Sequence, residues 1–175
     1  MIIRRAKKNE LEKCYEVIED AKRVFRDEGS TQWQDYDGYP NLETLTNDYL
    51  KNELYVVIDK EIVAVFVFSL TKEECYKNIQ RGKWLTNDDN YGVLHRIAVL
   101  SNYRKQGIGL LIMKYIDDLA KKYSLSSIKV DTMENNKGMI SLLFKANYKE
   151  CGIIHLLRKD VLDSKRIAFE KVMED

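Results

Sequence analysis

The run Arg104-Lys105-Gln106-Gly107-Ile108-Gly109 carries the most legible chemistry in this chain. It joins a segment of strand character, Val93 to Leu100, to one of helical periodicity, Ile108 to Lys122. Glycines at such a junction let the backbone turn tightly and approach a ligand closely. The loop opens into a helix N-terminus, where unpaired N–H groups and the helix dipole attract anions. Arg104 and Lys105 add positive charge beside those amides. The spacing predicts a cradle for a pyrophosphate, and the functional question becomes which phosphate-bearing cofactor it holds. Two common nucleotide binders fit poorly, because the chain has no GKS or GKT and its glycine pair does not make GxGxxG.

A cradle needs elements to hold it. After the loop, Ile108, Leu111, Ile112, Tyr115, Ile116 and Leu119 recur at helical spacing, an amphipathic stripe to lay against a sheet. Ser127 to Thr132 reads as the next strand, and Asn135 or Asn136 caps a helix carrying Met139, Ile140, Leu142, Leu143 and Ala146. Strands near Glu150 to Leu157 and Arg166 to Val172 close the chain. Upstream, Ile2 to Arg5 forms a short strand. Leu11, Cys14, Tyr15, Ile18, Ala21 and Phe25 follow helical spacing, with Lys22 breaking the stripe and Gly29-Ser30 ending it. Asn41 caps a second helix with Leu42, Leu45, Tyr49 and Leu50 turned inward. Leu54 to Ile58 and Ile62 to Leu70 form a hairpin across Asp59-Lys60-Glu61, the second strand apolar on both faces and so central. Lys72 to Asn90 is polar and reads as a surface excursion with a helical turn. The order is mixed α/β with antiparallel and parallel connections, a single domain over residues 1–175.

The bulk composition agrees. At 175 residues the chain can bury a sizeable core. A net charge of +1 and no basic run disfavour nucleic acid, and no apolar run approaches a membrane span. The N-terminal residues lack the apolar core of a secretory signal. Cys14, Cys75 and Cys151 are widely spaced without a CxxC pair, which suits reduced thiols in the cytoplasm better than disulfides or zinc. His95 and His155 are too few for a histidine-rich metal site, and no metal is expected.

The strand Leu94-His95-Arg96-Ile97-Ala98-Val99 precedes the glycine loop, and Val130-Asp131-Thr132 leads into Asn136-x-x-Met139-x-x-Leu142-Leu143. In this order and spacing the chain closely resembles the GNAT superfamily of acyl-CoA N-acyltransferases over most of its length. The family's cofactor loop reads Gln or Arg, two free positions, Gly, one free position, then Gly or Ala; Arg104 to Gly109 satisfies each fixed position. Asn147-Tyr148 stands where the family usually has Gly-Phe. Asn is the best substitute for Gly in a left-handed helix cap, and Tyr keeps the aromatic plug.

The resemblance implies a splayed, mostly antiparallel central sheet flanked by helices. Acetyl-CoA would lie in the gap where the strand ending at Val99 parts from the strand ending near Thr132. Ile97, Ala98 and Val99 would meet the pantetheine in pseudo-strand fashion. Gln106, Gly107, Ile108 and Gly109, with Arg104 and Lys105 nearby, would hold the pyrophosphate, and Asn136 would approach from the other side. The acceptor would be a primary amine on a small molecule or peptide.

Acetyl transfer from a thioester needs a neutral amine, a base for its proton and a donor for the developing oxyanion. His95 is the base candidate, since alternation puts it in phase with Ile97 and Val99 and a histidine's ordinary pKa of about 6.5 suits proton transfer. The plainer reading is a histidine hydrogen-bonded within the sheet. Glu134 is a second candidate, its plainer reading a solvated loop carboxylate. Many family members carry a tyrosine acid in the late helix; counting back from Asn147-Tyr148, that position is Leu143, which donates no proton. The aromatic loop after the first helix, with Trp33, Tyr36 and Tyr39 beside Asp35 and Asp37, would wall the acceptor pocket; otherwise Trp33 anchors the loop and the aspartates are solvated. Arg96 receives no catalytic role. The absence of the tyrosine leaves a second reading open, an acyl-CoA-binding or sensor module with reduced chemistry. A terminal strand such as Arg166 to Val172 offers a route to a homodimer.

Overall fold

The computed structural model describes residues 1–174. Seven strands and four α-helices follow one another in this order: β1 Ile2–Arg5, α1 Leu11–Asp27, α2 Leu42–Leu50, β2 Leu54–Ile58, β3 Ile62–Ser69, β4 Tyr91–Val99, α3 Ile108–Lys122, β5 Ser127–Thr132, α4 Lys137–Lys145, β6 Lys149–His155 and β7 Lys165–Val172. The strands form one sheet in the order β1-β2-β3-β4-β5-β7-β6, and only the β4–β5 pairing is parallel.

Each face of the sheet buries a helix pair. Ile112 and Ile116 of α3 and Leu143 of α4 pack on Phe66, Leu94, Ile128, Val130 and Phe169. On the other face Cys14, Val17, Ile18 and Ala21 of α1 and Leu45 of α2 cover Val56, Val65, Val67 and Ala98. The helix ends follow their residues. Asn41 Oδ1 accepts from the Thr44 N–H at 2.9 Å to start α2, and Gly29, at φ 71°, turns the chain out of α1. Asn147, at φ 66°, fills the left-handed position after α4, and Tyr148 is buried behind it.

Several expectations change. Leu50 is 68% exposed rather than inward, and the buried partner of Leu45 on α2 is Asp48. Lys22 breaks the apolar stripe in sequence yet is buried, its ammonium donating to the Gly38 carbonyl at 2.7 Å and so holding the loop after α1. The segment 72–90 is not simply a surface excursion. Its 3-10 turn Glu74–Asn78 buries Cys75 and Tyr76 against Tyr91, Val93, Ile154 and Ala168, and Gln80 bridges to Ile153. The last strand is no free edge, since β7 pairs with β5 on one side and β6 on the other.

The change that matters most for the site is in β4. Val65 pairs with Ala98 and Val67 with His95, so Arg96 and Ile97 together oppose Phe66. Arg96 takes φ 48°, and this bulge resets the alternation. Leu94, Ile97 and Val99 therefore share the α3/α4 face while Ala98 takes the other. His95 is not in phase with Ile97 and Val99; it projects on the α1/α2 side.

Candidate active site

β4 and β5 run together for only three pairs, Tyr91 with Ser127, Gly92 with Ile128 and Val93 with Lys129. Beyond Val93 the strands part. β5 continues to pair with β7 through Thr132, and β4 with β3 through Val99, so the edges facing the gap have no strand partner among the described residues. Thr132 Oγ1, at the open end of β5, is buried without a hydrogen bond. A ligand bearing amides along its length would satisfy these groups.

The glycine loop lies at the end of that gap. Asp20 of α1, a buried carboxylate, accepts from the Ser101 N–H at 2.6 Å and the Ser101 hydroxyl at 3.1 Å, pinning the chain as it leaves β4. Lys105 at φ 61° and Gly107 at φ 82° then wind the loop into α3. The main-chain N–H groups of Gln106, Gly107, Ile108 and Gly109 meet no carbonyl acceptor among the described residues. A Cβ built on Gly107 would meet nothing within 4 Å, so the space beside the loop at this residue is open. Gly109 has a different reason: its Cβ would come 2.9 Å from Leu142 Cδ2, so it lets α3 approach α4. The cradle fits a diphosphate in shape and polarity.

On the α1/α2 side of the parting lies a cluster of polar side chains. His95 Nε2 is 3.1 Å from Glu73 Oε1. That hydrogen bond holds the Glu73 carboxyl below its ordinary pKa, against the opposing effect of burial. Carrying the Val93–Lys129 register on by two residues sets Asp131 of β5 across the gap from His95. Asp131 accepts from the Tyr76 hydroxyl at 2.8 Å. Burial pushes its pKa up. Arg96 is clamped by both oxygens of Asp48, at 2.6 and 2.8 Å, and donates to the Tyr39 hydroxyl at 2.8 Å. Arg158 lies 3.7 Å over the Tyr39 ring and grips Asp35 and Asp37. Asp35 is thus buried rather than solvated while Asp37 stays exposed, and both tie the loop after α1 to the β6–β7 connection.

The remaining candidates disperse. Trp33 packs edge-on against Phe25, with ring centroids 5.4 Å apart, and anchors its loop, whereas Tyr36 is 92% exposed. Asn136 caps α4 through Oδ1 to the Met139 N–H at 3.1 Å and donates to Gln32 at 3.0 Å, stitching the same loop to α4. Glu134 is exposed and pairs with Lys165. Leu143 is fully buried in the α3/α4 core and offers no proton. Glu73, Tyr76 and Asp131 were not singled out from sequence. Asp131, a lone carboxylate among Ile128, Val130 and Thr132, was the one readable signal. A cavity of about 410 Å³ lined by Leu85, Asp117, Lys121 and Lys171 lies by Val172, at the end of β5 away from the parting.

The model of the acetyltransferase (GNAT) family matches residues 11–148. A GNAT-family acetyltransferase structure from Streptococcus agalactiae superposes with a TM-score of 0.86 at 31% identity, covering 99% of this chain and 96% of its own. A GNAT acetyltransferase from Listeria monocytogenes (TM-score 0.72, 16% identity, 98% and 94% covered) shares the fold. So does the ribosomal-protein-S18-alanine N-acetyltransferase of Escherichia coli (0.68, 13%, 99% and 94%). Curated protein sequences contain no significant match to the chain. By family match and by fold, this chain belongs to the GNAT acetyltransferases.

Proposed function

We propose that this protein transfers an acetyl group from acetyl-CoA to a primary amine, with His95 as the base. The observation that carries the reading is the parting of β4 from β5 beside a loop whose main-chain donors meet no carbonyl and which is open at Gly107. In this reading the N–H groups of Gln106 to Gly109 hold the diphosphate, with Arg104 and Lys105 supplying charge. The unpaired edge of β4 at Ile97, Ala98 and Val99, with Thr132 Oγ1 opposite, takes the pantetheine amides. Bound acetyl-CoA supplies the thioester. The ionised Glu73 receives the His95 Nε2 proton in a hydrogen bond, leaving Nδ1 to accept a proton from the amine. The acceptor nitrogen gives up that proton and forms the C–N bond as the C–S bond breaks, the electron pair leaving on sulfur. Positioning in the gap supplies much of the remaining acceleration.

Calorimetry with acetyl-CoA and thiol release with an amine panel test this reading. Gly107→Glu puts a carboxylate before the free N–H groups and is expected to weaken acetyl-CoA binding at least a hundredfold; unchanged affinity refutes the cradle. His95→Ala is expected to lower kcat by about 10²–10⁴ with acetyl-CoA affinity retained. A wild-type rate across the pH range would remove His95 from the mechanism. Binding without thiol release for any amine would favour the sensor reading.

A further inference from the structure

Arg166 is a charged residue beside Asp131 with much of its hydrogen-bonding capacity unused. It is only 7% exposed and stands on β7. Its Nη1 donates to the carbonyls of Asp163 at 2.5 Å and Lys165 at 2.8 Å. Nε and Nη2 make no hydrogen bond among the described residues; the nearest carboxylate oxygen, Asp131 Oδ1, is 4.0 Å from Nε. A guanidinium has five donors in a planar fork, and that unused edge matches two oxygens of a carboxylate. A cavity of about 10 Å³, space for about one oxygen-sized atom, adjoins it, lined also by Met133, Glu134, Asp163, Lys165 and Ile167.

The register puts this fork in the acceptor cleft. Asp131 pairs with Ala168, so Arg166 lies one step along the same face, next to Asp131 and towards the parted end of the sheet. His95, Asp131 and Arg166 thus occupy three successive strands on one side. Paired strands lie about 5 Å apart and β4 has already parted from β5 here, so the backbones of His95 and Arg166 lie more than about 10 Å apart, with side chains on the same side narrowing that span. The other arginines are committed, Arg96 to Asp48 and Arg158 to Asp35 and Asp37. His95 with Glu73 at one end, the Nε–Nη2 edge of Arg166 at the other and Asp131 between them describe a complement to a zwitterion.

We propose that the acceptor amine carries its own carboxylate, as a free amino acid does, with the Nε–Nη2 edge of Arg166 taking the carboxylate and His95 with Asp131 facing the amine. This rests on the transferase reading above and narrows its substrate class. The transfer is unchanged: the amine proton goes to His95, the C–N bond forms, the C–S bond breaks and sulfur leaves with the electron pair.

The test compares free amino acids with their carboxamides and with the amines lacking the carboxylate, using acetyl-CoA and the full chain. The expected result is at least a tenfold preference in kcat/KM for the free acids. Arg166→Gln is expected to bring that ratio close to one while acetyl-CoA affinity holds. Arg166→Lys, which keeps the charge but not the fork, falls between and serves if the glutamine variant does not fold. Equal or faster turnover of carboxamides by the wild-type protein overturns the inference, as does an undiminished preference in either folded variant; both leave the transferase reading standing. No transfer to any amine overturns both.

Discussion

Glu73 shows how much of a site one residue can decide. It is half-buried beside His95, and that hydrogen bond favours its ionised form. A folded-state pKa held below the ordinary carboxylate value contributes stability above that ordinary value, and the contribution is lost as pH falls through the lowered folded value. Glu73→Gln removes both the charge and that acid-range contribution. The expected outcome is a roughly tenfold lower kcat, an altered pH–rate profile and an unchanged acetyl-CoA affinity, with Glu73→Asp recovering part of the rate. A variant that loses stability but keeps the wild-type pH profile would make Glu73 a structural partner only. Glu73 was invisible in sequence because it stands in a polar run with no periodicity. His95 was visible as a residue but not in its direction, because strand alternation assumes an unbroken ladder and Arg96 at φ 48° breaks it.

At the scale of elements, sequence reading succeeded where a local rule decides the outcome. The helix Ile108–Lys122, its glycine entry and the Asn147 cap follow from periodicity and left-handed preference. It failed where distant chain supplies the partner, as for Lys22 with Gly38 and for segment 72–90 with β6. That segment carries Glu73 and Tyr76 and is pinned through Gly82, whose Cβ would lie 1.9 Å from the Cys151 carbonyl oxygen. Backbone cannot yield as a flexible side chain does, so Gly82→Ala displaces the segment. It is expected to cost about 1–3 kcal/mol in denaturant unfolding. It should also raise the acceptor's KM several-fold with little change in acetyl-CoA affinity. Gly109→Ala is the contrast at α3, because the neighbouring Leu142 side chain can rotate away.

Across the whole molecule, the three cysteines report on packing at three separate places. Cys14 lies on the buried face of α1, Cys75 in segment 72–90 and Cys151 on β6, all buried and unpaired. Burial pushes the Cys14 and Cys75 thiols up to about 12 and Cys151 to about 11. A disulfide reagent at neutral pH is expected to find essentially no reactive thiol in the native protein and all three once it is unfolded. Fast reaction of one thiol in the native state would locate a segment that opens. The low background also makes thiol release a clean readout of turnover. The seam between β4 and β5, three residue pairs long, has a consequence of its own. The four-stranded and three-stranded plates on either side are each internally laced but barely sewn to one another. A coenzyme lodged in the seam would act as mortar, so the substrate-loaded protein would be a stiffer body than the empty one, and the amine would then be received by a cleft whose walls its co-substrate had already set.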